Sequence, residues 1–213
     1  MKRIISLLLI TVSLLLLSSC GDSDDMSYDE AEVKTAASDL LREAAVYNDI
    51  FWGKGLPYLE DNNYRNGNYY AADIIYLDEI GITKIEDIYA KAAKIYSKEY
   101  LEDILSSVFG IRGGDYFNNG LVRYYQETEY IMVNSKYQPI IVDEVEYLYN
   151  TIEVIGAEGD RVAAKISIKV TRVEGENVKT QVRDRNFYLV KEDGKWLLDS
   201  PTYANYRPED LQK

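Results

Sequence analysis

The chain has 213 residues, 46% of them hydrophobic and 28% charged, which is enough apolar matter for one sizeable core and excludes disorder throughout. Its 36 acidic and 24 basic residues give a formal charge of −12, the wrong sign for a surface that neutralises nucleic-acid phosphates. There is no His and only one Cys, which excludes Ser-His-Asp and Cys-His catalysis and zinc sites built on imidazole or thiolate clusters.

The chain opens with Lys2 and Arg3, an apolar run from Ile4 to Leu17, and the small-residue sequence Leu17-Ser18-Ser19-Cys20. The run falls short of the roughly 18 residues of a spanning helix, so the layout is that of a secretory signal. Leu17 three positions before the sole Cys, with two small residues between, resembles the bacterial lipobox. That resemblance implies that residues 1–19 are removed and that Cys20 carries the lipid. Removal leaves 22 basic against 36 acidic residues, a net −14, which anionic headgroups repel. The acyl anchor must therefore hold the protein at the membrane. Residues 20–26 read as the lipidated Cys and a polar tether.

Ser27 and Glu30 fit a capping box, and Val33, Ala37, Leu40, Ala44, Tyr47 and Phe51 follow at helical spacing up to Gly53 and Pro57. Residues 53–72, rich in Gly, Asn and Asp, suit an irregular connection. Thr83 and Glu86 open a second helix carrying Ile85, Ile88, Tyr89, Ala92 and Tyr96. Ser97 caps a third, which uses Leu101, Ile104, Leu105 and Val108 and stops at Gly110.

Beyond Gly110 the hydrophobic period changes from 3.6 to 2. Short strands are expected over 121–126 and 129–133, and longer ones over 145–155, 162–173 and 178–191. Tight turns at Gly159-Asp160, Gly175-Glu176-Asn177 and Asp193-Gly194 lead to a last strand at 195–198. Such closely joined strands are antiparallel. Ala164, Ile166, Ile168 and Val170 alternate with Lys165, Ser167, Lys169 and Thr171, so one sheet face is buried. Val178, Thr180 and Val182 share one parity while Phe187 and Leu189 share the other, which calls for a β-bulge near 184–186. The expected fold is α+β, with N-terminal helices packed on a bent antiparallel sheet. One domain spans 27–205, followed by a polar tail at 206–213.

Helices followed by a meander that ends in Lys191-Glu192-Asp193-Gly194-Lys195-Trp196-Leu197-Leu198-Asp199 resemble the NTF2-like, cystatin-like cone. The segment 85–100, with Ser97-Lys98-Glu99-Tyr100, is similar to the secreted DL-endopeptidase inhibitor family of bacterial cell walls. That similarity implies a protein that binds and blocks a wall-cutting cysteine peptidase.

Twenty Tyr against four Phe is the oddest feature of the composition. Many of these hydroxyls need water or a hydrogen bond, so Tyr58, Tyr64, Tyr69, Tyr70, Tyr116, Tyr124 and Tyr125 are candidates for a sugar- or peptide-binding surface. Tyr47, Tyr89 and Tyr96 are assigned to packing, as are Trp52 and Trp196. The partner contact is placed at Asp115, Tyr116 and Phe117, at the tip of the 112–119 loop, and at Tyr64. Residues 61–68 are oxygen-rich, but an EF-hand beginning at Asp61 would have Arg65 at its fifth position and Ala72 at its twelfth. No metal and no cofactor are expected. The reading is a non-catalytic envelope lipoprotein that binds an envelope protein or cell-wall component, and no nucleic acid. The alternative is a small ligand or glycan held in the cone. An enzyme using Asp115, Asp184 and Tyr124 is third.

Overall fold

In the computed structural model of the chain the described residues are 28–60, 64–109, 122–139, 143–158, 160–174 and 177–203, with the side chains of 158, 173 and 174 left aside. Cys20, Asp115, Tyr116 and Phe117 lie outside them. The fold is α+β, with four helices, α1 (Glu30–Trp52), α2 (Ile74–Glu79), α3 (Ile85–Ala92) and α4 (Lys98–Phe109), among the described residues. Two four-stranded antiparallel sheets accompany them. One has the order β1-β2-β4-β3, from β1 (Arg65–Asn66), β2 (Tyr69–Ala71), β3 (Tyr124–Glu127) and β4 (Tyr130–Asn134). The other is a meander of β5 (Glu144–Glu158), β6 (Arg161–Glu174), β7 (Asn177–Glu192) and β8 (Lys195–Leu198).

Three of the four helices were expected from the sequence; α2 was not, and α3 ends at Ala92 instead of running on through Tyr96, which bridges to Leu198. The α1 N-cap is Asp29, whose Oδ1 accepts from Ala31 N at 2.8 Å, and not Ser27. At α3, Asp87 takes the role expected of Glu86, since its Oδ2 accepts from Thr83 N, Thr83 Oγ1 and Lys84 N at 2.8, 2.7 and 3.0 Å. Those bonds hold the Asp87 carboxyl below its usual range. Ser97 Oγ accepts from Tyr100 N at 3.1 Å, as a cap of α4 should.

The buried alternation of β6 holds, with Ala164, Ile166, Ile168 and Val170 all in the core. The first sheet is the larger difference from expectation, because residues 65–71, read as irregular, form a hairpin. Asn66 pairs with Tyr69 around a two-residue turn in which Gly67 takes φ +59°. Tyr69, Tyr70 and Ala71 then pair with Asn134, Val133 and Met132. One core serves both sheets: Tyr124, Ile131 and Val133 from the first join Val162, Phe187, Leu189 and Leu198 from the second, and α1 supplies Leu41, Ala44 and Phe51.

The bulge expected near 184–186 is absent, because β6 and β7 pair without a shift from Arg161↔Val190 to Glu174↔Asn177. The irregularities lie in β5 instead, between Leu148 and Glu153 and between Val154 and Gly156. There Thr151 Oγ1 accepts from Ser167 N at 2.8 Å, replacing a ladder bond. β7 keeps its parity and leaves Val178 and Val182 facing out, each 64% exposed. A strand that outruns its core has no apolar face to align.

Candidate functional site

The short sheet turns Tyr124, Ile131 and Val133 to the core, and by register Tyr69, Tyr125 and Tyr130 occupy its opposite face. Tyr64 packs on Tyr130 with ring centroids 4.2 Å apart, and Tyr69 meets Tyr125 edge-on at 4.8 Å. The hydroxyl of Tyr130, hydrogen-bonded to Tyr64, is pushed up to about 12, so it stays protonated at neutral pH. Tyr58 and Tyr70 stack on one another at 5.2 Å.

The Tyr64–Tyr130 pair borders two recesses. One, of about 550 Å³, has a floor of Leu77, Ile82 and Ile131 and is flanked by Leu59 and Ile74, with Lys84, Asp78 and Glu129 at its margin. The other, of about 380 Å³, lies against Arg65, Asn66, Glu127 and Met132. Both volumes fall in the range of small-molecule and side-chain pockets. Leu59 is 48% exposed and Ile74 66%, so two exposed apolar side chains line the same recess.

Thr128 lines both recesses from the two-residue β3–β4 turn, at φ +52°. A β-branched residue in the left-handed region is strained by about 1–3 kcal/mol and persists only where its surroundings over-determine it. Gln126 Nε2 supplies that restraint by donating to the carbonyls of Thr128 and Tyr130 at 3.0 and 3.1 Å. Gln126 Oε1 in turn accepts from Ile85 N at 3.1 Å, tying the turn to the start of α3. The wall of the groove is therefore preorganised.

Of the tyrosines put forward from sequence, Tyr64, Tyr69 and Tyr125 come together on the sheet with Tyr130, which the reading missed. Alternation of Tyr130 and Met132 along β4 was its only signal. Tyr124 is a correction. It is fully buried, its hydroxyl donating to Ile50 O at 2.7 Å and accepting from Leu56 N at 2.9 Å, so it offers nothing to a ligand. Asp184 points outward from β7, where Ser167 Oγ donates to it at 2.8 Å. The proposed pairing of Asp184 with Tyr124 is not assembled. Residues 65–70 form a hairpin in which Arg65 Nε donates to Gly67 O at 2.9 Å. Trp52, Trp196 and Tyr96 are buried, and Tyr47 and Tyr89 are packed against the core as expected.

Among the described residues, no helix is long and apolar enough to cross a membrane. Compared with known proteins, the chain matches no family model, no curated protein and no solved structure.

Proposed function

We propose that this chain is a non-catalytic lipoprotein of the cell envelope, anchored through Cys20 on the extracytoplasmic face of the membrane, and that it binds an envelope protein such as a wall peptidase. The observation that carries the binding reading is the groove beside Tyr64 and Tyr130, where exposed Leu59 and Ile74 stand with a strained, braced turn. Aromatic rings with protonated hydroxyls beside an apolar floor suit an apolar anchor side chain of a partner, flanked by backbone hydrogen bonds. Tyr28, the first described residue, stands eight positions after Cys20. A lipid there would hold the domain within about 29 Å of the bilayer surface, close to envelope partners. The resemblances to the lipobox, to NTF2-like proteins and to the endopeptidase inhibitors belong to this reading.

The test has two parts. Cys20→Ser should release the protein from the membrane fraction after a high-salt wash, and a variant that stays bound would refute the anchor. For the groove, a partner crosslinked to the full-length chain is identified, purified and titrated. Tyr64→Ala and Ile74→Ala should each weaken it by about 2 kcal/mol, roughly 30-fold in Kd, with the melting temperature nearly unchanged. Tyr116→Ala and Asp115→Asn in the same titration show whether the loop shares the contact. Unchanged affinity in both groove variants would remove the groove from the interface.

A further inference from the structure

The unbroken register of β7 has an unexpected content on its inner face. Ile166 and Ile168 of β6 face the core, and their partners across the ladder are Arg185 and Arg183. Cross-strand partners share a face, so both guanidinium-bearing side chains lie on the buried side of the sheet, roughly 7 Å apart along the strand. Tyr147 of β5 pairs with Ile168 from the other side, which makes a row Tyr147–Ile168–Arg183.

Both arginines are half-buried, and in each the Nε is shielded from solvent with no hydrogen-bond partner. Nor does either make an ion pair to a described residue. Among the described residues, Arg123 binds backbone carbonyls, Arg161 binds Asp199 and Arg172 binds Asp143, while Arg42 lies over the Tyr149 ring. In a chain with 36 acidic residues, two adjacent inward cations without an acceptor are a conspicuous exception. Their mutual repulsion is least screened where solvent is scarce. A buried donor without a partner calls for an explanation, and a bound ion is one that answers both features together.

The neighbours fit the same ligand. Tyr100 of α4 and Tyr147 are close enough to feel the charge of Arg185, and burial raises both hydroxyls above their usual range, Tyr147 to about 12. They remain neutral donors. Tyr147 Oη donates to the Thr202 carbonyl at 2.9 Å. Two guanidinium forks beside Ile166, Ile168 and Val170 match an oxyanion attached to a small apolar body.

We propose that Arg183 and Arg185 form a binding site for a small organic anion, a carboxylate or a phosphate monoester, on the inner face of the second sheet. The site lies on a different sheet from the tyrosine groove and does not depend on it.

Thermal unfolding of the full-length chain in detergent is compared in sodium chloride, inorganic phosphate and succinate at matched ionic strength. Phosphate or succinate should raise the midpoint by roughly 3 °C or more at 10 mM, because a ligand held only by the native state stabilises it by mass action. The responding anion identifies the headgroup. Arg183→Gln and Arg185→Gln should each weaken the apparent affinity about tenfold or more, and the double variant should lose the response. In sodium chloride alone both variants should melt no lower than the parent, since no acceptor loses a donor. A fall of several degrees there would show guanidinium groups that serve the fold and would overturn the proposal. So would the absence of any anion response, or a response undiminished in the double variant, which would be an adventitious ion only. A response to phosphatidylglycerol vesicles without one to phosphate or succinate would assign the arginines to a lipid surface and would equally overturn it.

Discussion

Trp196→Ala is expected to lower the unfolding free energy by about 3–5 kcal/mol, the cost of emptying a large buried aromatic site. The indole is 7% exposed and belongs to the common core. Its Nε1 donates to Glu32 Oε1 at 2.9 Å, and Lys191 Nζ reaches the same oxygen at 2.9 Å while lying 5.2 Å from the ring centroid. The ring therefore fills the joint where the first turns of α1 meet β7 and β8. Lys191, then Trp196, hold the Glu32 carboxyl below its usual range, but that group is open to solvent and the pairing is screened. The loss should come from the cavity, so Glu32→Gln, which keeps an acceptor for the indole, should cost far less than Trp196→Ala. Urea denaturation of both variants measures the difference. A loss below about 1 kcal/mol for Trp196→Ala would show that the indole does not support the core and would give it a role in ligand contact instead.

Arg123→Met should cost about 3 kcal/mol, a second large effect from a residue that no local pattern marks. Arg123 is 3% exposed, with Nη1 donating to Phe51 O at 2.8 Å and Nη2 to Gly53 O at 2.6 Å. These are carbonyls at the C-terminal end of α1, the negative end of the helix dipole, and the last turn of α1 has no basic residue of its own. A cation from β3's approach, 72 positions away in sequence, supplies what the helix lacks. Tyr124 works beside it, joining Ile50 O to Leu56 N. The connecting loop must pass close to both, at Gly55, where φ is +83° and a Cβ would come 2.3 Å from Arg123 Nη2 and 2.6 Å from Tyr124 Oη. Only glycine fits there. Tyr124→Phe should cost about 1–2 kcal/mol, and because the two residues serve one helix end the double variant should depart from the sum of the singles. Hydrogen exchange of the last turn of α1 should speed up in both. Unaltered exchange there, with a loss under about 1 kcal/mol for Arg123→Met, would show that the helix end is satisfied without them.

The inner arginines of β7 show how a sound local rule can hide a site. Apolar parity changes between Val182 and Phe187, and the rule that apolar residues face the core turns that change into a bulge. The strand instead runs straight, exposes Val178 and Val182, and carries Arg183 and Arg185 inward. The wall at Thr128 was equally hidden, because a β-branched residue is the last choice for a left-handed turn position and the bonds that brace it there come from the Gln126 side chain and the β3–β4 ladder.

Sequence alone determined α1, α3 and α4, the long meander and the buried face of β6. Each is set by periodicity, caps and tight turns within a dozen or so residues, where local geometry leaves few alternatives. It also determined the acidic balance and the packing role of Trp196, since composition and a turn-plus-aromatic ending survive any arrangement of the chain. Tertiary structure decided the rest. The first sheet exists because β2, of three residues, pairs with β4 some sixty positions on, and neither is stable or recognisable alone. Whether Tyr124 is a surface ring or a buried strut, and whether Arg123 is solvated or caps a helix, depends on which distant backbone groups arrive beside them. Hydrogen bonds between residues 53 to 74 positions apart leave no trace in a local pattern, and they fix both the core and the groove.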